Sequence, residues 1–157
     1  MTSIDDVPAD VRADLAAAGL DEDHVWDTVR RALAEDLPEA PHEDPTSSST
    51  IPSDARGEAV FAAREPGVVA GLAIAAVVFS AVGADATVTG RLPDGSRVTQ
   101  GDVVMRVSGL TQRLLVAERT ALNLACHLSG VATATARWGG AGAWARTSPS
   151  SASPTSA

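Results

Sequence analysis

Apolar residues at helical spacing predict the first two elements of the chain. Residues 8–18 form a short helical pattern with a proline tolerated at its start, and Gly19 stands where that helix would end. Asp21 can cap a second helix, which carries an apolar residue at nearly every third or fourth position: Val25, Trp26, Val29, Ala32 and Leu33. We expect both helices to pack on a sheet.

Short β-branched and alternating stretches predict that sheet. The strands are expected at residues 59–64, 86–90 and 103–107. A turn at 65–67 followed by an extended segment at 68–70 indicates a strand-turn-strand unit, and Ser108-Gly109 is expected to end the last strand. These patterns predict an α+β fold with a small antiparallel sheet packed with helices.

A continuous apolar run and a long C-terminal pattern complete the predicted helices. Residues 72–82 are apolar on nearly every face, which favours a buried helix. Thr111 can cap a helix that runs to about His127, and Ser129 can cap another through Trp138. The buried side of the first of these two helices is predicted to hold Leu114, Leu115, Leu122, Leu124, Ala125 and Leu128.

A row of polar groups follows the same C-terminal helix. Arg119, Asn123 and His127 stand four residues apart, so a helix places them one above another along its axis. Together they can present hydrogen-bond donors to an anion. The alternatives are that Arg119 pairs with Glu118, that Asn123 orients Arg119 or caps a nearby loop, and that His127 is a partly buried structural histidine.

Composition excludes several classes of function. The 157 residues carry a formal charge of −8, and all 12 basic residues are arginine. The chain therefore lacks the basic stripe of a nucleic-acid surface, and without lysine it has neither Schiff-base chemistry nor a lysine phosphate clamp. Cys126 is the single cysteine, so no internal disulfide forms, and its position predicts a small core residue.

The chain divides into four predicted parts. Residues 1–20 are an N-terminal helix, 21–110 an α/β sandwich, 111–138 the helices with the polar row, and 139–157 a low-complexity tail expected to be disordered. No long apolar run or secretory leader is readable, so we expect a cytoplasmic protein with no membrane contact.

An acidic stretch and a glycine-rich stretch are two further candidate sites for ions. Glu35, Asp36, Glu43 and Asp44 flank a proline-rich segment without histidine spacing, so a solvated acidic connection is favoured over a metal cluster. Residues 139–142 are glycine-rich but lack the Lys-Ser/Thr ending of a nucleotide P-loop. We therefore expect no metal or cofactor bound by this chain.

The amino-acid sequence of the helix that carries the polar row resembles that of a known family. Glu-Arg-Thr-Ala-Leu-Asn at 118–123, followed by Leu-Ser-Gly-Val-Ala-Thr at 128–133, is similar to the signature of quinolinate phosphoribosyltransferases. The resemblance extends over about residues 25–138. Upstream it includes Ala32-Leu33-Ala34-Glu35-Asp36, Asp44-Pro45-Thr46-Ser47, Ile51-Pro52, Gly67-Val68-Val69-Ala70-Gly71 and Gly101-Asp102.

The resemblance implies a reaction, partners and a role for one residue. Family members convert quinolinate and phosphoribosyl pyrophosphate to nicotinate mononucleotide, pyrophosphate and carbon dioxide, with Mg²⁺, in NAD biosynthesis. They are homodimers, and the arginine corresponding to Arg119 reaches the substrate carboxylate in the partner's α/β barrel. Asn123 and His127 are weaker candidates for substrate contact. The family's barrel is missing from this sequence, so we expect the chain by itself to be catalytically incompetent and to form a homodimer or larger oligomer.

Other functions stay open beside this one. The chain could be a non-catalytic dimerisation or regulatory module, or a paralogue of the same superfamily with another substrate, such as one linked to molybdenum transport. A lipoyl or biotinyl carrier is excluded because it needs a lysine to modify.

Overall fold

A computed structural model describes residues 3–36, 50–83 and 85–145, with only the backbone described for residue 36 and residues 140–145. A 3₁₀ turn at Ile4–Asp6 precedes the regular elements. These are, in chain order, α1 (Ala9–Ala17), α2 (Glu22–Asp36), β1 (Arg56–Ala62), β2 (Gly67–Val68), α3 (Leu72–Ala81), β3 (Ala86–Arg91), β4 (Arg97–Val98), β5 (Val103–Leu110) and α4 (Thr111–Ala145). The predicted α+β class, a small antiparallel sheet packed with helices, is confirmed.

The two N-terminal helices form where the sequence predicts them. Gly19 adopts a φ of 71° after α1, and the Asp21 carboxylate accepts a hydrogen bond from the His24 backbone N–H at 2.8 Å at the start of α2. Their packing differs from the prediction. Both helices lie mainly against α3, because their apolar faces meet a helix that is itself apolar all round.

The core is built around α3. Seven of its ten residues are buried: Leu72, Ala73, Ala75, Ala76, Val77, Val78 and Phe79. Phe79 packs against Phe61 of β1, with the ring centroids 6.0 Å apart. Because α3 contacts α1 and α2 as well as α4 and β3, it occupies the centre of the domain. The predicted buried helix at 72–82 is confirmed.

The main sheet has three antiparallel strands in the order β1-β5-β3. β5 continues to Leu110, so the prediction that Ser108-Gly109 would end it is wrong. Gly109 pairs with both Gly57 and Ala86 inside the sheet. A glycine is required there because a Cβ would collide with the backbone carbonyl oxygen of Asp85.

A second sheet has only two short strands, β2 and β4, which pair antiparallel. The expected strand-turn-strand unit at 59–70 is present as β1, a turn and β2, but β1 pairs with β5 and β2 with β4, so the two strands belong to different sheets. The turn at 65–67 instead carries the chain from one sheet to the other.

The C-terminal helix is continuous. α4 runs from Thr111 to Ala145 without a break, so the prediction of two helices separated near Ser129 is wrong. The Ser129 hydroxyl bonds to the backbone of Ala70, which removes it from the role of a helix cap. Residues 139–145 are helical as well, contrary to the expected start of a disordered tail at 139. Residues 146–157 lie outside the described residues.

Candidate functional site

Arg119, Asn123 and His127 lie on one exposed side of α4. Leu115 and Val131, four residues before and after this row, are also exposed, at 41% and 54%. These five residues form a continuous strip that we call the exposed stripe of α4. The structure therefore brings the three predicted site residues together on the outside of the domain.

The opposite side of α4 explains why the stripe faces outward. Leu114, Ala117, Ala121 and Ala125 follow the same three- and four-residue spacing and are at most 5% exposed. Three of these four residues are alanines, whose small side chains let α4 lie close to α3 and the sheet. Since the alanine side faces the core, the residues on the far side of the helix face away from it.

The exposure of individual residues corrects three predictions. Leu115 is exposed, although it was expected on the buried side of the helix. Cys126 is exposed, so it is not the small core residue that was expected, and His127 is exposed and not partly buried. Each lies one or two positions from a buried alanine, and a shift of one position turns a side chain about 100° around a helix.

Arg119 has free donors within the described part of the chain. The ion pairs found there involve Arg12 and Arg91, not Arg119. Pairing between Arg119 and Glu118 is therefore not seen, and the Asn123 side chain forms no hydrogen bond to another described residue. A guanidinium without an intramolecular partner keeps its two-pronged face available for a carboxylate.

Two grooves among the described residues are lined by residues other than those of the stripe. A groove of about 530 Å³ lies between α4 and β2, with Arg64, Cys126 and Arg137 among its lining residues. Another of about 710 Å³ lies between α1 and β3, where Arg91 pairs with Asp14 at 2.5 Å and Asp10 at 3.3 Å. Neither groove is lined by Arg119, Asn123 or His127. A convex helix surface of this kind can enclose a ligand only when another surface faces it.

Within the described residues, neither a metal centre nor a membrane span is found. No group of three or more His, Cys, Asp or Glu residues is placed to hold a metal ion. No described helix is long and apolar enough to cross a bilayer. Of the acidic residues predicted to form a solvated connection, Glu35 is exposed, whereas Glu43 and Asp44 lie outside the described residues.

Sequence reasoning missed two hydroxyl groups in the second half of the signature. Ser129 and Thr133 each bond to the backbone of the segment that contains β2, at Ala70 and Val68 respectively. A serine and a threonine four residues apart, together with the glycines at 67 and 71, were the available signal.

The pattern of motifs matches a defined family. Residues 44–129 match the model of the quinolinate phosphoribosyl transferase N-terminal domain. This chain is a member of that family. The matched range contains the sheet, α3 and α4 as far as Ser129, and therefore includes Arg119, Asn123 and His127.

Relatives and solved structures agree with this membership. A nicotinate-nucleotide pyrophosphorylase (carboxylating) from Mycobacterium leprae is 42% identical over 118 residues, which are 74% of this chain and 41% of the relative. A chloroplastic nicotinate-nucleotide pyrophosphorylase from Arabidopsis thaliana is 42% identical over 108 residues, or 68% of this chain and 30% of the relative. The crystal structure of NadC from Streptococcus pyogenes superposes with a TM-score of 0.69 at 35% identity, covering 74% of this chain and 41% of that one.

The chain thus spans about two fifths of the length of the M. leprae and S. pyogenes relatives. The family's fold is established here for the N-terminal domain, and the stripe is a feature of that domain.

Proposed function

We propose that this chain supplies the N-terminal-domain part of a phosphoribosyltransferase site that joins quinolinate to phosphoribosyl pyrophosphate. The reaction gives nicotinate mononucleotide, pyrophosphate and carbon dioxide, and the protein acts in the cytoplasm in NAD biosynthesis. The observation that supports this proposal is the outward placement of Arg119 on the family's signature helix, where no ion pair with another described residue engages it.

The role of Arg119 follows from the chemistry of the substrate. Quinolinate is a pyridine with two carboxylates, and a planar guanidinium binds a carboxylate through two parallel hydrogen bonds. Arg119 lies on a convex surface, so it would reach a substrate held by the barrel of another subunit. We propose that the chain pairs through this surface with a second copy of itself and, in an active assembly, with a subunit that carries the barrel. Asn123 and His127, one and two turns further along α4, can add hydrogen-bond donors at the edge of the same contact.

The described residues account for only one part of the proposed site. The described residues hold no candidate metal cluster, so we assign no step to magnesium here and propose Mg²⁺ only for the complete enzyme. We propose that these 157 residues alone are inactive and that activity requires a barrel domain, which a second polypeptide can supply in a complementation experiment.

Complementation between subunits tests this proposal. The M. leprae relative, substituted with alanine at the position aligned with Arg119, would be co-expressed with this chain, and nicotinate mononucleotide formation measured. The wild-type chain should restore activity, whereas Arg119→Ala should restore about 100-fold less, the typical cost of losing one anchoring donor. Arg113→Ala, on the same helix but off the stripe, is the matched control.

The outcomes separate the alternatives. Equal restoration by wild type and Arg119→Ala would contradict the role of Arg119 and favour a non-catalytic dimerisation module, which the exposed Leu115 and Val131 would also suit. Formation of nicotinate mononucleotide by the chain alone would contradict the proposal that the chain alone is inactive. Restoration with a different pyridine acid and not with quinolinate would indicate a paralogue with another substrate.

A further inference from the structure

The second half of the signature attaches α4 to the segment that contains β2. The Thr133 hydroxyl accepts a hydrogen bond from the Val68 N–H at 2.9 Å and donates one to the Val68 carbonyl oxygen at 3.2 Å. The Ser129 hydroxyl contacts Ala70 in the same two ways, at 3.0 and 3.1 Å. Each hydroxyl therefore occupies both the donor and the acceptor of one backbone residue.

These contacts form because the spacing of alternate residues in an extended chain is close to the spacing of residues four apart in a helix. Residues two apart in an extended chain are separated by about 6.6 Å, and residues four apart in a helix by about 6 Å along the axis. Ser129 and Thr133 can therefore follow alternate residues of the extended segment, and α4 takes the place of a neighbouring strand at its free edge. We call these four contacts the hydroxyl clamp.

Two glycines let the helix approach closely enough for the clamp to form. A Cβ on Gly67 would lie 2.7 Å from the Thr133 hydroxyl oxygen, closer than Cβ atoms approach other atoms in proteins. A Cβ on Gly71 would collide with the side chain of Leu128, and the φ of 81° at Gly71 is itself unfavourable for other residues. The Gly-Val-Val-Ala-Gly and Leu-Ser-Gly-Val-Ala-Thr motifs are thus two sides of one contact.

The segment on the other side of the clamp is itself fixed. The Val69 N–H donates to the Ser96 carbonyl at 3.0 Å, and the Gly95 N–H donates to the Val69 carbonyl at 2.8 Å. Asp94 in the same turn accepts from the N–H of Gly71 and Leu72, at the start of the central helix. The clamp therefore ties α4 to α3 through a short chain of directional bonds.

Directional bonds add a control that apolar packing alone does not give. Ala117, Ala121 and Ala125 contribute only methyl groups to the core. Leu114, Leu122 and Leu124 pack against the core as well, but through contacts that have no preferred direction. Arg119 lies ten residues from Ser129, about 15 Å along the axis. A 10° rotation of α4 would move an atom about 6 Å from the axis by about 1 Å, a displacement that can cost about 100-fold in rate at a site that needs exact placement.

We infer that Ser129 and Thr133 are positioning residues that set the rotation of α4 and thereby the direction of Arg119. The inference rests on the proposed function for its catalytic consequence, but the orientation of α4 can be measured without it. Neither hydroxyl belongs to the exposed stripe.

The orientation test uses the 157-residue chain and backbone residual dipolar couplings measured by NMR. Thr133→Val replaces the hydroxyl with a methyl group of similar shape and should change the couplings of residues 115–127 relative to those of α3. Thr135→Val is the matched control, because the Thr135 hydroxyl bonds to the Val131 carbonyl within α4 at 2.9 Å and should leave α4 in place. Thr133→Ser keeps the hydroxyl and should restore the wild-type couplings.

The activity test uses the complementation pair described above. Thr133→Val should raise KM for quinolinate about 10-fold and leave KM for phosphoribosyl pyrophosphate unchanged, whereas a smaller folded fraction would lower the maximal rate and neither KM. In an Arg119→Ala background, Thr133→Val should have no further effect, because it acts through Arg119.

The two measurements have separable failures. Unchanged α4 couplings in Thr133→Val would overturn the inference, as would a fully additive effect with Arg119→Ala. If Thr133→Val fails to fold, Ser129→Ala, which removes the other half of the clamp, is judged by the same couplings. If the wild-type chain restores no activity, the proposed function fails, while the couplings still decide whether the clamp orients α4.

Discussion

The Asp94 carboxylate accepts a hydrogen bond from the Gly71 backbone N–H at 2.7 Å, from a turn 23 residues further along the chain. Its second oxygen accepts from the Leu72 N–H at 3.0 Å. Gly71 is the N-cap residue of α3 and has no side chain with which to cap it. A distant turn therefore supplies the cap of the central helix, where a negative charge also favours the helix dipole.

Replacing Asp94 should destabilise the domain through this cap. Asp94→Ala leaves two N–H groups at the start of α3 without their acceptor, and loss of an N-cap costs about 1–2 kcal/mol. Urea-induced unfolding followed by circular dichroism would measure the loss. Asp54→Ala, which removes an exposed carboxylate from a loop, is the control. An equal loss in both variants would contradict the capping role.

The Asp94 contact also shows which features the sequence could predict. Local signals were reliable: the apolar run of α3, the end of α1 at Gly19 and the cap of α2 at Asp21 all depend on neighbouring residues. The cap of α3 could not be found this way, because its acceptor lies in a turn remote in sequence. The same holds for Ser129, which was interpreted as a local helix cap although its hydroxyl bonds to Ala70.

The candidate site was predicted only in part, because local spacing shows which residues share a side of a helix but not which side faces the core. Helical periodicity alone placed Arg119, Asn123 and His127 on one side of a helix. Periodicity did not fix which neighbouring positions face the core, so Leu115 and Cys126 were misplaced. The continuity of α4 through Gly130 was missed, because glycine lowers helix propensity without preventing a helix that tertiary contacts hold, here the bonds of Ser129 and Thr133 to Ala70 and Val68.

Gly109 in β5 should not tolerate a side chain. A Cβ there would collide with the Asp85 carbonyl oxygen and lie 2.9 Å from the Ala86 Cα, both of which are backbone atoms that cannot move aside alone. Gly109→Ala should lower the free energy of unfolding by about 3 kcal/mol, measured by urea denaturation. Gly90→Ala, in β3 with open space around its Cβ position, should cost clearly less. Equal losses of stability in the two variants would show that β3 can move away from β5 to make room for the Cβ without a loss of free energy.

Replacing Gly130 with alanine should raise the free energy of unfolding, whereas replacing Gly109 should lower it. It lies inside α4, it is exposed, and nothing lies within 4 Å of a Cβ built on it. Gly130→Ala should therefore raise the stability of the isolated chain by about 1 kcal/mol, the difference in helix propensity between the two residues. Thermal unfolding monitored at 222 nm would measure it. A loss of stability would mean that α4 depends on a distortion at this residue.

Asp102 should titrate at a lower pH than an ordinary aspartate. The Thr99 backbone N–H donates to its carboxylate at 2.7 Å and the Thr99 hydroxyl at 3.0 Å, and these bonds lower the pKa of Asp102, the backbone bond having the larger effect. NMR titration of the carboxyl carbon would measure the pKa. Thr99→Val removes only the smaller cause, so it should return the pKa part of the way to its ordinary value.

The sign of the pH dependence follows from this lowered pKa. The unfolded chain binds a proton at Asp102 at a higher pH than the folded chain does, so the stabilisation is complete above the unfolded pKa, near pH 4. It is lost as the pH falls through the lower folded pKa. The stability difference between wild type and Asp102→Asn should therefore shrink below about pH 4. A difference that stays constant down to pH 2 would contradict the assignment.

Cys126 offers a direct measure of what covers α4. It is the single cysteine, it is exposed, and it lies next to His127 of the exposed stripe. At low protein concentration a thiol reagent should modify one group per chain at a rate close to that of the unfolded chain, and Cys126→Ser should give no reaction. If a second copy covers the stripe, as we propose for the homodimer, the rate should fall as the protein concentration rises.

Two variants of matched exposure show which surface produces that protection. Val131 in the stripe is 54% exposed and Val60 on β1 is 52% exposed. Val131→Asp would place a charge in the proposed contact and should abolish the concentration dependence, because an unpaired buried carboxylate is strongly unfavourable. Val60→Asp should leave it unchanged. If Val60→Asp alone abolishes the protection, the subunits meet through the sheet, and Arg119 does not face the partner through the surface proposed here.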